Sequence, residues 1–155
     1  MAKRIAVIDI GSNSIRIAIY EKTSRFAFHL LYETKSKVRL SENAYQNAGT
    51  LQKEAMQRAY ETLNEFLTIA NSFNVRKILC VATSCLRDAP NKKDFLLHVK
   101  NKLKLNIKLV DGEKEAYLGS LACANLLPKQ KNALPIDIGW GSTELSIISE
   151  GNISK

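Results

Sequence analysis

Residues 8–21 read IDIGSNSIRIAIYE, and residues 136–149 read IDIGWGSTELSIIS. At an offset of 128 the two stretches share six identities in fourteen positions, four of them consecutive. Each stretch predicts a strand with an aspartate near its end, a tight turn of small residues and a returning strand. This internal repeat predicts two similar hairpins, each beginning a domain, so that the complete molecule has two related domains that face one another across a cleft.

The composition of both turns favours phosphate binding. Glycine lets backbone N–H groups approach an anion closely, and serine, threonine and asparagine add further donors. The aspartate at the strand end can hold a metal ion through water. The alternative is that these are two ordinary hairpin turns, because glycine and serine are turn residues in any case.

Length and composition bound the class of protein. With 155 residues, 45% hydrophobic and 25% charged, the chain has room for about one domain and is not disordered, collagenous or a coiled coil. Its apolar runs are far shorter than the roughly 20 residues of a membrane span, and no signal peptide is recognisable. We therefore expect a cytoplasmic protein without membrane contact. Cys80, Cys85 and Cys123 form no CxxC pair and predict reduced thiols.

The charge is strongly basic and uneven. There are 23 Lys and Arg against 15 Asp and Glu, which gives a net charge of +8, and the excess lies in residues 1–100. A basic balance favours polyanionic partners such as nucleic acid, nucleotides or inorganic phosphate chains, and charge alone does not choose among them. The lysines of residues 92–104 either guide a polyanion or form a solvated helix face.

The order of elements predicts a mixed α/β domain. Short connections make residues 4–10, 15–20 and 26–32 an antiparallel meander. The further elements are a helix over 51–73, a strand over 75–83, a helix over 92–103, a strand over 106–110, a helix over 113–127, and a strand pair over 134–138 and 144–148. Because the strand over 75–83 follows a helix, we expect it to run parallel to its sheet neighbour. We expect a first domain at 1–127, with 128–155 as the start of a truncated or otherwise completed second domain.

Four segments, taken together and in order, resemble one family. They are VIDIGSNSIRIAIYE at 7–21, VATSCLRDAPN at 81–91, DGEKEAYLG at 111–119 and PIDIGWGSTELSII at 135–148. They are similar to the exopolyphosphatase and guanosine pentaphosphate phosphohydrolase (Ppx/GppA) family. That family lies in the superfamily of actin, sugar kinases and chaperone ATPases, so the resemblance implies ribonuclease H-like (actin-like ATPase) domains.

The resemblance implies hydrolysis of a terminal phosphoanhydride bond in inorganic polyphosphate or guanosine pentaphosphate, without specific nucleic-acid binding. The implied cofactor is Mg²⁺ or Mn²⁺, which suits an all-oxygen ligand set. The implied site residues fall into two phosphate loops, a metal or water set, and one arginine that contacts phosphate. They are Gly11, Ser12, Asn13, Ser14 and Arg16; Gly139, Gly141, Ser142 and Thr143; Asp137, Glu144 and Asp9; and Arg87.

Glu115 falls on the position of the family's catalytic base. A carboxylate near metal and phosphate could orient and deprotonate an attacking water. The alternative is structural, because Glu113 and Glu115 lie in a first helical turn, where the helix dipole favours acidic residues.

The sequence departs from the family pattern at three positions. Lys114 stands where the pattern has a glutamate, which reverses a charge beside the implied base. Trp140 replaces the middle glycine of the second turn and could point outward or block the loop. Cys85 replaces a small alanine, a change from which we expect no effect.

Two other functions compete with the hydrolase. One is an ATP-using relative of the sugar kinases, and the other is a non-catalytic polyanion-binding or regulatory module.

We also expect that no helix follows the apolar strands of 134–148 to cover them. That segment would then be mobile, fold back on the first domain, or pair with its copy in a homodimer, and this short form would hydrolyse its substrate poorly.

Overall fold

The computed structural model describes residues 3–25 and 27–154. These residues form two compact units, with the border between Leu109 and Val110. The helix that begins at Gly112 therefore groups with the C-terminal strands. The domain border at 127/128 stays a prediction.

A five-stranded mixed sheet organises the first unit. Its strands are β1 (Lys3–Ile10), β2 (Ile15–Lys22), β3 (Phe28–Ser36), β4 (Lys77–Ala82) and β5 (Ile107–Leu109), in the order β3-β2-β1-β4-β5. The meander β1-β2-β3 is antiparallel, and β4 runs parallel to both β1 and β5, as the sequence predicts. Phe26, the predicted first residue of the third strand, lies outside the described residues.

Three helices belong to the first unit, namely α1 (Lys53–Ser72), α2 (Ser84–Asp88) and α3 (Lys92–Leu103), and a short 3₁₀ turn spans Tyr45–Asn47. The predicted helix over 92–103 is confirmed. The sequence analysis did not predict α2, because five residues are too few for a periodic pattern. Pro90 holds Ala89 in an extended conformation, and this ends α2.

The core of the first unit lies between the sheet and α1. The isoleucines of β1 and β2 are almost completely buried, at positions 8, 10, 15, 17 and 19. α1 presents Ala55, Ala59 and Leu63 at intervals of four residues to the same core. Each fully buried isoleucine contributes on the order of 1.5–3 kcal/mol through removal of apolar surface from water. This packing fixes the ends of β1 and β2, between which the first turn lies.

The second unit contains α4 (Gly112–Leu126), β6 (Ile136–Ile138), β7 (Thr143–Leu145), β8 (Ile147–Ser149) and β9 (Asn152–Ser154). β6 pairs with β7, and β8 pairs with β9, both antiparallel. The predicted strand over 144–148 is interrupted at Ser146, whose hydroxyl is hydrogen-bonded to that of Ser120.

The C-terminal strands pack on a helix that lies within the predicted first domain of 1–127, which is the second of the three arrangements that the sequence left open. α4, which precedes them in the chain, packs against β7, β8 and β9, and Ile148 is buried in this unit. Six other large apolar side chains of the segment are exposed, at Leu134, Ile136, Ile138, Trp140, Leu145 and Ile147. A homodimer through this segment stays a prediction. Among the described residues, the helices are too short or too polar to cross a membrane.

Candidate active site

The two repeated turns have the same backbone geometry. The Gly11 N–H donates to the Ser14 carbonyl oxygen at 3.0 Å, and the Gly139 N–H donates to the Ser142 carbonyl oxygen at 2.9 Å. A Cβ atom placed on either glycine would lie 3.2 Å from that same serine oxygen. Each turn is therefore closed so tightly that a side chain at its first position would crowd the backbone.

The strand register is also the same at the offset of 128. Asp9 lies opposite Arg16 in the first hairpin, and Asp137 lies opposite Glu144 in the second. Arg16 also forms an ion pair with Glu33 at 2.8 Å, so the first hairpin carries balanced charges beside its turn. The second hairpin instead places two carboxylates opposite one another, which is unfavourable unless a cation or a proton lies between them.

Asp137 and Glu144 are the two acidic residues of the second hairpin, and their oxygens are of the type that could hold a metal ion. Within residues 3–25 and 27–154, no group of three or more His, Cys, Asp and Glu side chains is clustered to hold an ion. Two carboxylates nevertheless fit Mg²⁺, which commonly takes one or two protein carboxylates and completes its shell with water and phosphate oxygens. Asp9, facing Arg16, has no second carboxylate opposite it in the hairpin register.

A segment that the sequence analysis missed holds the first turn in place. Arg39 donates its backbone N–H to the Asn13 carbonyl at 2.8 Å. Ser41 donates both its N–H and its hydroxyl to the Ser12 carbonyl, at 3.0 and 3.2 Å. We call residues 38–41 the strap. The sequence did contain a signal for the strap, because apolar and polar residues alternate over 38–41. The two apolar residues, Val38 and Leu40, are buried.

Arg87 lies in α2, near the carboxyl end of β1. The Thr83 N–H donates to the Ile10 carbonyl at 3.3 Å, which joins the start of α2 to the end of β1. The Arg87 guanidinium holds both carboxylate oxygens of Asp88, at 3.1 and 3.2 Å. Arg87 thus presents the planar fork that also suits phosphate, with Asp88 engaged in it.

The thiols of Cys80 and Cys85 in the first unit are protonated at neutral pH. Burial raises the pKa of Cys80 to about 12, and the charge of Asp9 adds to this effect. Burial also raises the pKa of Cys85 to about 11, although a hydrogen bond with Ser12 acts in the opposite direction. The cysteines of the described residues are free thiols, as predicted. The contact of Cys85 with Ser12 was not predicted, and it places this thiol behind the first turn.

Glu115 is half-buried near the start of α4. The side-chain cap of this helix is Asp111, whose Oδ1 accepts from the Lys114 N–H at 2.7 Å. The Lys114 ammonium lies 4.6 Å from the centre of the Tyr117 ring. Asp111 is therefore the N-cap, and Glu113 and Glu115 both lie in the first turn, where the helix dipole favours acidic residues.

Trp140 and Ser12 occupy equivalent positions in the two turns but differ in exposure. Ser12 is 6% exposed beneath the strap, whereas Trp140 is 76% exposed. The indole therefore points outward from the turn, the first of the two orientations that the sequence left open.

A separate cavity of about 960 Å³ in the second unit is lined largely by apolar side chains, among them Tyr117, Leu145 and Ile147. Neither Glu115 nor Asp137 lines this cavity.

The structure thus assembles the predicted residues in two groups. The first unit joins the turn at residues 11–14 to α2 and Arg87, and the second unit packs α4, which carries Glu115, against β7, which carries Thr143 and Glu144. The short helix α2 and the strap are the parts of these groups that the sequence analysis did not find.

Comparison with known proteins gives a consistent picture. A model of the Ppx/GppA phosphatase family matches residues 18–155. The chain is 35% identical, over 97% of its length and 30% of the relative, to guanosine-5′-triphosphate,3′-diphosphate pyrophosphatase of Aliivibrio fischeri. It is 31% identical to exopolyphosphatase 1 of Mycobacterium tuberculosis, over 92% of this chain and 42% of that protein. The chain therefore spans less than half the length of either relative.

A solved structure agrees with these relatives. The exopolyphosphatase of Cytophaga hutchinsonii superimposes with a TM-score of 0.90 at 30% identity, over 97% of this chain and 48% of that one. An ethanolamine utilization protein, EutJ from Carboxydothermus hydrogenoformans, has a TM-score of 0.53 at 16% identity, over 98% of this chain and 50% of that one. At this low identity the second match is a likeness of fold alone.

Proposed function

Because this chain belongs to the Ppx/GppA phosphatase family, we propose that it contributes phosphate loops and a catalytic base to a hydrolase of terminal phosphoanhydride bonds. The substrate is inorganic polyphosphate or guanosine pentaphosphate, the two classes that the names of the relatives indicate. The observation that carries the proposal is the pair of turns with the same register and the same glycine-to-serine hydrogen bond.

Each turn has the chemistry that a phosphate group requires. Tight glycine turns leave backbone N–H groups accessible, and the hydroxyls at Ser14, Ser142 and Thr143 are at the turn or directly after it. The strap supports this role in the first turn, because its hydrogen bonds occupy the carbonyl oxygens of Ser12 and Asn13. Two oxygens that would repel an anion are thereby engaged elsewhere.

The second hairpin is the proposed site for Mg²⁺ or Mn²⁺. Asp137 and Glu144 would supply two oxygen ligands, and bound metal would neutralise charge on the phosphate oxygens. In the absence of metal the two carboxylates repel one another. Since two facing carboxylates destabilise the hairpin when no cation is bound, the pair of Asp137 and Glu144 supports a role in cation binding better than a role in stability.

Glu115 is the proposed general base. Phosphoryl transfer depends mainly on positioning an attacking water and stabilising charge, so one suitably placed carboxylate suffices to take the proton. The half-burial of Glu115, in contrast to the exposed Glu113 of the same helical turn, supports this proposal. Arg87 would place its guanidinium fork on a phosphate oxygen in exchange for its contact with Asp88.

The test is the release of phosphate from polyphosphate and from guanosine pentaphosphate with Mg²⁺. Glu115→Gln should lower the rate by about 100-fold or more, because a general base commonly contributes 10²–10⁴-fold. The matched control is Glu113→Gln, which changes an exposed glutamate in the same helical turn and should stay within about twofold of wild type. Equal losses in both variants would contradict the assignment of Glu115.

A polyanion-binding module is the second candidate, and the charge distribution favours it. Residues 1–109 contain 19 Lys and Arg against 9 Asp and Glu, whereas residues 110–155 contain 4 against 6. The basic excess thus belongs entirely to the first unit and would attract a polyanion without catalysis. Salt-sensitive polyphosphate binding without phosphate release from wild type would favour this candidate over the hydrolase.

A further inference from the structure

We infer that Trp140 is a stacking platform for the base of a nucleoside polyphosphate, which makes the second turn selective for a nucleotide over inorganic polyphosphate. This inference rests on the proposed function of the turn as a phosphate loop. It assigns a specificity role to a residue that interrupts the repeat.

The position of Trp140 is the first argument. The indole lies between Gly139 and Gly141, in the turn closed by the hydrogen bond from Gly139 to Ser142. A phosphate held by this turn would lie directly beside an aromatic side chain. When the turn holds the phosphate group attached to the ribose, the base of the same nucleotide lies only a ribose away and can contact the indole, while the terminal phosphate that is hydrolysed lies farther along the phosphate chain.

The exposure of the side chain is the second argument. Tryptophan is a large apolar residue that usually gains stability by burying 150–250 Å² of surface, as an approximate range. Trp140 is 76% exposed, and its neighbour Ile138 is 78% exposed. An inorganic phosphate chain has no apolar surface to cover the indole, whereas a purine base does. The chemistry of the exposed face therefore matches a nucleotide.

The charge of the second unit is a third and independent argument. With 4 basic and 6 acidic residues in 110–155, this unit does not attract an anion by net charge. One of its lysines, Lys114, has its ammonium over the Tyr117 ring. The net charge of this unit therefore does not favour an anion, and stacking of a base on the indole would add an attraction that does not depend on charge.

The experiment uses the one tryptophan of the chain as its reporter. The intact chain is titrated with guanosine triphosphate and, separately, with inorganic tripolyphosphate, at one Mg²⁺ concentration. Excitation is at the red edge of the indole band, where guanine absorbs little. Stacking should produce saturable quenching of Trp140 emission by the nucleotide and no comparable quenching by tripolyphosphate. Equal responses to the two ligands, or no response to either, would overturn the inference.

The dissociation constants of Trp140 variants for both ligands, measured by equilibrium dialysis, then show how much the indole contributes to binding. Trp140→Gly should weaken nucleotide binding by about 5- to 150-fold, the range expected for loss of one stacked base, and should bring the two dissociation constants closer together. Trp140→Phe should keep the preference for the nucleotide, because phenylalanine also stacks. The control is Phe28→Ala, an exposed aromatic residue at the end of β3 away from the first turn, which should change neither constant by more than about twofold.

Phosphate release measured in the same samples separates the two proposals. Release without nucleotide-specific quenching would overturn the stacking role and leave the hydrolase intact. Quenching without release from either ligand would support stacking and contradict hydrolysis by this chain. Quenching that depends on protein concentration instead of ligand would assign the exposed indole to self-association and overturn the inference.

Discussion

The two hairpins have the same turn and the same strand register, yet their surroundings are opposite. Ile10, the last residue of β1, is 1% exposed, whereas its repeat partner Ile138 is 78% exposed. In the first hairpin β1 lies between β2 and β4, and the core under the sheet includes residues of α1. In the second, β6 pairs only with β7 among the described strands.

The comparison shows that the turn does not depend on burial. A glycine at the first position and a serine at the fourth close both turns, one inside a packed unit and one at an exposed strand pair. Burial instead decides what the second position can hold. Beneath the strap there is space for Ser12 and its contact with Cys85, whereas the open turn accommodates an indole at Trp140.

The largest expected difference between the hairpins is in how much the loss of an isoleucine side chain lowers the free energy of unfolding. Ile10→Ala should lower the free energy of unfolding by about 2–5 kcal/mol, because it leaves a cavity in the core of the first unit. Ile138→Ala should change it by no more than about 0.5 kcal/mol, since the side chain is already exposed. Urea denaturation followed by circular dichroism measures both. Equal destabilisation would show that Ile138 is packed in solution.

A smaller difference is expected at the glycines. The added Cβ would lie 3.2 Å from a serine carbonyl oxygen in both turns. Gly11→Ala should cost about 1–3 kcal/mol, because the strap prevents the first turn from relaxing. Gly139→Ala should cost less than about 1 kcal/mol, since no equivalent of the strap holds the second turn within the described residues. Thermal unfolding of both variants decides this point, and similar shifts in the two would show that the strap does not restrain the first turn.

The smallest effect concerns the charges beside the turns. Without divalent cations, Glu144→Gln should stabilise the protein by about 0.2–1 kcal/mol, because it removes a repulsion with Asp137. The equivalent change in the first hairpin, Arg16→Gln, should be slightly destabilising, since Arg16 pairs with Glu33. Added Mg²⁺ should raise the melting temperature of wild type more than that of Glu144→Gln. An equal rise in the two proteins would place the metal elsewhere.

Much of the local structure could be read directly from the chain. The meander, the parallel β4 and the bounds of α3 follow from apolar periodicity and short connections, which act between near neighbours. The repeat identified both turns, because glycine, serine and the flanking β-branched residues specify a hairpin locally. Asp137 and Glu144 are opposite one another for the same reason.

The sequence by itself thus determined the two turns and the antiparallel meander, because these depend on residues adjacent in the chain or joined by a short loop. Only the tertiary structure decided which hairpin is buried, that α4 packs against the C-terminal strands, and that the strap fixes Ser12. It also decided that Trp140 points outward. The physical reason is that burial and hydrogen-bond partners depend on segments far apart in sequence, which no local pattern of residues encodes.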